Sequence, residues 1–166
     1  FTALDAHDVV RGITSTKNLF NDDIRQRVKD GRMVKIGMEG NLDTELILAA
    51  HPEVIFISPF KHGGYDAIKE TGLTLIPQLG YKELTPLGQA EWIRFVGMFI
   101  GKEHEADSIF AGIESRYNTL KEKVSQCMSN SEDSLPTVFS GEMHGGNWYA
   151  VGGKNSLAQI FRDAGA

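Results

Sequence analysis

The 166-residue sequence has a single cysteine, Cys127, so no disulfide can form within the chain. This count excludes a disulfide-stapled scaffold but leaves the compartment open, since many periplasmic proteins also lack disulfides. No run of about 18 apolar residues occurs, so no segment is predicted to span a membrane as a helix. The 17 basic residues are outnumbered by 22 acidic ones and form no cluster. That argues against a nucleic-acid partner, because phosphate binding requires grouped lysines and arginines.

Motifs of enzyme active sites are missing as well. The chain has no G-x-S-x-G elbow, no Walker loop and no paired-histidine zinc motif. Ser58, Ser140 and Cys127 have no visible partners for a catalytic triad. The sequence therefore predicts a protein that is not an enzyme and has no intrinsic cofactor. The start at Phe1, without a methionine, is expected of an excised or processed segment.

The first half of the chain alternates short β-branched runs with helical stretches. Nearly continuous apolar sequence at 53–58 is typical of a strand buried on both faces of a parallel sheet. Helices are predicted after Asn21, and after Asn41 or Asp43, because these residues are good N-caps. The alternation predicts an α/β fold, with a Rossmann-like parallel sheet and helices on both faces. The predicted strands are 8–13, 33–37, 53–58 and 73–77, and the predicted helices are 21–30, 44–50 and 65–71.

The middle of the chain changes to long helices. Pro86 suits a first helical turn and opens a helix predicted to continue to Ile100. After Gly101, apolar residues recur at steps of three and four, which predicts an amphipathic helix over 104–126. Such a helix is roughly 35 Å long at 1.5 Å per residue, enough to cross the back of two lobes.

The last part of the chain restarts the strand pattern. A strand is predicted at 136–140, followed by a glycine-rich segment that contains Trp148 and Tyr149, and by a helix at 156–164. This order predicts the start of a second α/β unit.

Three segments in this order resemble one class of ABC-transporter substrate-binding proteins, in which one rigid helix bridges two α/β lobes. The first carries Gly37, a capped helix with Glu45, and His51-Pro52 before an apolar strand. The segments are 37–58, 85–93 with 105–117, and 146–156 with 163–165. The resemblance covers almost the whole chain.

The resemblance implies a capture protein for an iron chelate, which would be a siderophore, haem or a cobalamin-like compound. It implies an ABC permease as the partner and a periplasmic location, or a lipoprotein anchored outside the cytoplasmic membrane. The expected domains are a first lobe at 1–84, bridging helices at 85–128 and the beginning of a second lobe at 135–166. Family members are longer, so the first strand of lobe one and most of lobe two are expected to be absent.

Ligand-binding residues are expected in the loops that follow the strands, where open α/β sheets bind ligands. Aromatic rings offer a large contact area to a planar or catecholate ligand. Trp148 and Tyr149 also fit a strand, which would place one ring inward and one outward. The candidates are Met38, Glu39, Phe60, Lys61, His62, Tyr65, Tyr81, His144, Trp148 and Tyr149.

Metal and permease contacts give two further sets of candidates. His62 and His144 both lie in glycine-flanked segments and could together hold a metal or haem iron. In the family that the chain resembles, an acidic residue on each lobe pairs with permease arginines. Asp66 and Glu70 are the nearest acids here, and a solvated helix face explains them equally well.

Other functions stay open on the sequence. A metal chelatase or a nitrogenase-like enzyme could use the same two-lobed architecture, with His62 close to His144 or Glu142. A solute sensor without a transporter is a third possibility. An incomplete second lobe would also leave sheet edges open, which predicts self-association of the chain.

Overall fold

The computed structural model describes residues 1–17, 19–38, 41–59, 65–130 and 135–166. The chain divides into two compact units, Phe1–Leu79 and Gly80–Ala166. No helix among the described residues is both long and apolar enough to cross a bilayer. The α/β fold class predicted from the sequence is confirmed, with parallel strand pairs and one long helix.

In its described residues, the first unit contains three strand pairs, three α-helices and a short 3-10 helix at Thr2–Leu4. Two pairs are parallel, as predicted, and one is antiparallel. The parallel pairs are β1 (Gly12–Ile13) with β2 (Val34–Lys35) and β5 (Val54–Ile57) with β6 (Thr74–Pro77), and β3 (Gly37–Met38) pairs with β4 (Asn41–Leu42). The helices are α1 (Asp22–Lys29), α2 (Thr44–Ala49) and α3 (Asp66–Lys69).

The core of this unit joins two helices to the central strand pair. Ile47 of α2, Ile55 of β5 and Ile68 of α3 are buried against one another. Each full burial of such a side chain contributes about 1.5–3 kcal/mol. The helix starts agree with the sequence, because Asn21 accepts from the Ile24 amide and Asp43 from the Leu46 amide, both at 3.0 Å.

His7 connects the N-terminal segment to α1 through both of its ring nitrogens. Its Nδ1 lies 2.6 Å from Asp23, and its Nε2 lies 2.9 Å from the Thr2 hydroxyl. Arg27 donates to the same Asp23 carboxylate at 2.9 Å. The hydrogen bond from Arg27 is the main reason that the pKa of Asp23 lies below its usual value. His7 is therefore a structural residue of the first unit.

The second unit begins with two helices that pack side by side. These are α4 (Pro86–Ile100) and α5 (Glu103–Ser129), separated by Gly101 in a left-handed conformation. Ala106 and Phe110 are buried in α5, and the Arg94 guanidinium lies 4.3 Å over the Phe110 ring. Both predicted helices are present, and α5 is longer than expected. The bridging role of these helices stays a prediction.

A final helix, α6 (Ser156–Asp163), is held on α5 by a polar network. Its Asp163 carboxylate accepts from the Tyr117 hydroxyl at 2.6 Å and from Gln159 at 2.8 Å. The Lys121 ammonium lies 3.0 Å from the same group. Burial by itself raises the pKa of Asp163, but these hydrogen bonds outweigh it and the pKa is lowered overall. Burial and the Asp163 contact raise the pKa of Tyr117 to about 12.

Replacement of Asp163 by asparagine tests this network. We expect the free energy of unfolding at pH 7 to fall by about 1–3 kcal/mol, because charge-assisted hydrogen bonds are lost. The folded pKa of Asp163 lies below the unfolded value of about 3.9. The stabilisation is therefore complete above that value and is lost as the pH falls through the folded pKa. Urea unfolding of both proteins at pH 7 and in strong acid measures the difference between them.

We expect the free energies of unfolding of wild type and Asp163→Asn to differ at pH 7 and to become similar in strong acid. Asp66→Asn is the matched control, since the Asp66 side chain is 83% exposed and its ion pair with Lys69 is on the surface. It should change stability little at either pH. If Asp163→Asn lowers the free energy of unfolding by the same amount in acid as at pH 7, the Asp163 carboxylate does not stabilise the fold through its charge.

Two predicted strands differ in the structure. The strand predicted at 8–13 is reduced to Gly12 and Ile13, because only these residues pair with β2. The strand predicted at 136–140 is not formed within the described residues. A β-branched segment needs a neighbouring strand, and here only the Ser140 carbonyl is paired, with the Val151 amide at 2.8 Å.

Candidate ligand-binding site

The glycine-rich segment that contains Trp148 and Tyr149 forms a β-hairpin, although its candidate residues were expected in a loop that follows a strand. Strand β7 (Gly141–His144) pairs antiparallel with β8 (Asn147–Ala150). Gly145 and Gly146, at the turn, have φ values of 57° and 81°. A two-residue hairpin turn with positive φ at both positions matches the right-handed twist of the strands, and glycine adopts it without strain. The glycines therefore specify a tight turn.

The hairpin has two chemically different faces. Successive side chains alternate between faces, so Trp148 and Tyr149 lie on opposite sides, in agreement with the predicted alternation. Tyr149 shares its face with Glu142 and His144. Trp148 shares the other face with Met143, its register partner.

Trp148 is supported by neighbouring residues on its own face. Its ring stacks on Phe139 with 5.4 Å between centroids and 19° between planes. A Cβ atom on Gly141 would lie 2.7 Å from Cε2 of the indole, so only glycine leaves room for this ring. Trp148 is thus engaged in an aromatic stack, although about half of its surface is exposed.

The opposite face carries a small cavity of about 260 Å³ lined by Glu142, His144 and Tyr149. The His144 and Tyr149 rings meet edge to face, with 6.4 Å between centroids and 61° between planes. Tyr149 is 58% exposed. Within the part of the chain that the structure describes, none of the three side chains makes a hydrogen bond or ion pair. The face therefore has polar groups available to a ligand.

A larger cavity of about 430 Å³ lies between the segment 135–140 and α6. Its lining side chains are apolar or small and polar: Leu135, Pro136, Thr137, Val138, Ser140, Val151, Gly153, Ala158, Phe161 and Ala166. This lining does not offer the groups that orient a charged chelate. The hairpin cavity is the better candidate in the second unit.

The described candidates of the first unit and the one at the start of the second lie on different elements of the fold. Met38 is largely exposed at the end of β3. The Tyr65 hydroxyl donates to the Ser58 carbonyl at 3.1 Å, and its ring packs against the Ile47–Ile68 core. Tyr81 is partly exposed in a 3-10 turn. Glu39, Phe60, Lys61 and His62 lie outside the described residues, so the proposed His62–His144 metal pair stays a prediction.

The two candidate docking acids lie on α3. Asp66 is in its first turn and pairs with Lys69 at 3.3 Å, and Glu70 caps the end of the helix. Both side chains are exposed. No group of three or more His, Cys, Asp or Glu side chains converges among the described residues. These positions suit surface contacts, and docking stays a prediction.

Two residues of the hairpin region were not among the ligand-binding residues predicted from the sequence. Phe139 was treated only as part of a strand, and Glu142 was included in a candidate loop and named individually only in the chelatase hypothesis. The available signal was the Gly145-Gly146 pair between two short runs, which is a hairpin pattern. That register would have placed Glu142 opposite Tyr149.

The family model for periplasmic binding proteins matches residues 1–166. The chain belongs to the periplasmic binding protein family. The resemblance inferred from the sequence is therefore confirmed. Members of this family are substrate-binding proteins.

Individual relatives agree with this assignment. The chain is 30% identical over 126 residues to an uncharacterised lipoprotein of Methanocaldococcus jannaschii. The aligned region covers 71% of this chain and 30% of the relative. Two solved structures share the fold: a possible iron-binding, periplasmic solute-binding protein of Staphylococcus epidermidis and the periplasmic haem-binding protein RhuT of Roseiflexus. The first has a TM-score of 0.71 and is 13% identical, and the match covers 99% of this chain and 60% of that protein. The second has a TM-score of 0.70 and is 17% identical, and the match covers 99% of this chain and 59% of that protein.

Proposed function

We propose that this chain captures an iron chelate or haem outside the cytoplasmic membrane and delivers it to an ABC permease. The family match over residues 1–166 supports a binding function. The chain spans about a third of the curated relative and about three-fifths of the two solved structures. The ligand and the partner of the whole protein are therefore part of the proposal.

The observation that carries the proposal is the cavity on the hairpin. Glu142, His144 and Tyr149 line it with one acidic, one imidazole and one phenolic group. An aromatic ring beside polar groups suits a ligand that is partly planar and partly polar, because the ring supplies contact area and the polar groups fix orientation. The possible iron-binding protein of Staphylococcus epidermidis and the haem-binding protein RhuT share this fold.

The remaining parts of the proposal follow the family. Asp66 and Glu70 are the candidate contacts to permease arginines, and α5 is a continuous helix of 27 residues that would resist large bending. Ligand capture would then involve closure of two lobes on the chelate with little hinge motion. Stimulation of ATP hydrolysis in the reconstituted transporter by the loaded protein tests the permease partner, and no stimulation would count against it.

A thermal-shift screen tests the capture function. The probes are ferric siderophores, haemin, cobalamin and simple divalent metals, each with its iron-free form where one exists. A ligand present at one hundred times its Kd should add about 2.7 kcal/mol to the free energy of unfolding. We expect a shift with an iron chelate or haemin and none with the iron-free chelator. The absence of a shift with every probe would overturn the proposal and favour the sensor or enzyme alternatives.

A further inference from the structure

A small cavity of about 200 Å³ lies along α4 and the segment that precedes it. Its lining combines two acids with two aromatic rings, a methionine and an arginine: Glu83, Glu91, Trp92, Phe95, Met98 and Arg94. Pockets for small-molecule ligands have volumes of about 300–1,000 Å³. The α4 cavity is smaller than such a pocket, and its size suits one side chain of another protein.

Glu83 and Trp92 hold each other in place at this cavity. The Trp92 indole N–H donates to Oε1 of Glu83 at 3.1 Å. A Cβ atom on Gly88 would lie 3.0 Å from Oε2 of the same carboxylate, so the glycine in the first turn of α4 leaves room for it. The Trp92 and Phe95 rings meet edge to face, with 5.1 Å between centroids. Because the acid and the rings are already fixed, a partner would bind with a smaller loss of side-chain entropy.

The charge around the α4 cavity is negative. Among the described residues, Arg94 is the only cation of the lining, and two acids surround it: its Nη1 donates to Glu91 at 3.0 Å and its Nε lies 2.8 Å from Asp107. Lys82 lies 5.9 Å from the ring of the tyrosine before it and does not line the cavity. A carboxylate has about four acceptor positions. Glu83 and Glu91 can therefore each accept a further hydrogen bond from a cation.

Exposed apolar side chains accompany these acids. Met98, in the lining, is 59% exposed, and Leu84, the residue after Glu83, is 64% exposed. Aromatic residues and methionine are enriched in protein–protein interfaces relative to the rest of the surface. The surface around the cavity thus has the composition of an interface in addition to its negative charge.

We propose that the α4 cavity binds an arginine side chain of a partner protein. The guanidinium group is planar, donates to carboxylates in a rigid fork and stacks on aromatic rings, whereas the lysine ammonium is a compact and strongly hydrated charge. The arginine stem would lie along Phe95 and Met98. The cavity belongs to the second unit, so it is a different site from Asp66 and Glu70 of the first, and the inference does not depend on the captured chelate.

The test uses a short capped peptide in which one arginine lies between two leucines. Matched peptides carry citrulline, which keeps the shape of arginine without its charge, or lysine. Titration calorimetry with the whole chain should show that the arginine peptide binds about tenfold more tightly than the citrulline peptide, because two carboxylates lose a charged donor. It should also bind more tightly than the lysine peptide. Binding should weaken as the sodium chloride concentration rises, since salt screens exposed charges.

Glu83→Gln and Glu91→Gln test the two acids. Each glutamine removes the charge but keeps an oxygen that can accept from Trp92 or Arg94. Each substitution should weaken binding of the arginine peptide by about threefold to fivefold, the effect of a partly exposed charge pair. Binding of the citrulline peptide should stay unchanged.

Met98→Lys introduces a cation into the lining and should abolish binding of the arginine peptide. Leu120→Lys and Glu114→Gln are the matched controls, since they change an exposed leucine and an exposed acid of α5. Both should keep the affinity of the wild type. Unchanged thermal unfolding of Met98→Lys shows that its loss of binding is not a loss of the fold.

Four results would overturn the inference. They are no binding of the arginine peptide, equal binding of the arginine and citrulline peptides, equal binding of the lysine peptide, and unchanged affinity in Glu83→Gln and Glu91→Gln. A dimer mass by light scattering that Met98→Lys reduces to the monomer mass would place a second copy of the chain in the cavity instead. None of these results bears on chelate capture, which the thermal-shift screen tests separately.

Discussion

Replacement of Gly97 by alanine is expected to lower the free energy of unfolding by about 1–3 kcal/mol. A Cβ atom at this position would lie 2.7 Å from the Cβ of Ala106 and 3.0 Å from the Lys102 carbonyl oxygen. Ala106 is fully buried, so α4 and α5 would have to move apart. Close packing transmits such overpacking into side-chain and backbone strain. The contact between α4 and α5 therefore depends on residue 97 being a glycine, which has no side chain.

Gly112→Ala is the matched control for this prediction. Gly112 also lies inside a helix, but an added Cβ would meet only the end of the flexible Arg116 side chain, at 3.7 Å. Alanine should stabilise the helix there by roughly 0.5–1 kcal/mol. Thermal unfolding distinguishes Gly97→Ala from Gly112→Ala, since a change of 1 kcal/mol in the free energy of unfolding shifts the Tm of a chain of this size by about 2–4 °C. Equal stabilisation by both substitutions would show that the α4–α5 contact is looser than described.

Replacement of Tyr149 by alanine should weaken chelate binding by about ten- to a hundredfold, which is roughly 1.4–2.7 kcal/mol of binding free energy. The residue lines the polar cavity on the hairpin and has no competing partner among the described residues. Truncation of an aromatic at the centre of a binding site has effects of this size. Titration calorimetry, with the chelate identified by the thermal-shift screen, measures the loss.

Trp148→Ala tests which face of the hairpin binds the ligand. Trp148 is the next residue along the chain but lies on the other face, stacked on Phe139. We expect it to lower thermal stability and to change affinity less than Tyr149→Ala does. Phe20→Ala, which removes an 85% exposed aromatic of the first unit, should change neither quantity. A larger affinity loss for Trp148→Ala would place the ligand on the Trp148 face and return that residue to the role predicted from sequence.

The hairpin shows why the sequence predicted the aromatic residues but not the site. The alternation of side chains along Trp148 and Tyr149 was readable, and so was their separation onto two faces. Their register with β7 follows from the tight turn at Gly145-Gly146, which pairs Glu142 with Tyr149, and the sequence interpretation did not use these glycines as a hairpin signal. A shift of one residue would exchange the two faces.

Strand formation was overestimated where no neighbouring strand is available. The apolar run at 53–58 gave a strand because β6 pairs with it in parallel, whereas the similar run at 136–140 stays unpaired in the described structure. β-propensity reflects packing and pairing with neighbours more than an intrinsic backbone preference. Helices depend less on distant partners, and all six α-helices of the described residues lie where helices were predicted.

From the sequence alone came the α/β class, the helix cap at Asn21, the long helix and the resemblance to the family, while the choice of Asp43 over Asn41 as the second cap came from the structure. These features rest on local patterns: periodic apolar residues, capping side chains and glycines that end helices. Only the tertiary structure decided which side chains meet: Tyr117 with Asp163, Gly97 with Ala106, and Glu142 with His144 and Tyr149. The first two contacts are set by helix packing, which no local pattern encodes, and the third is set by the register of the hairpin.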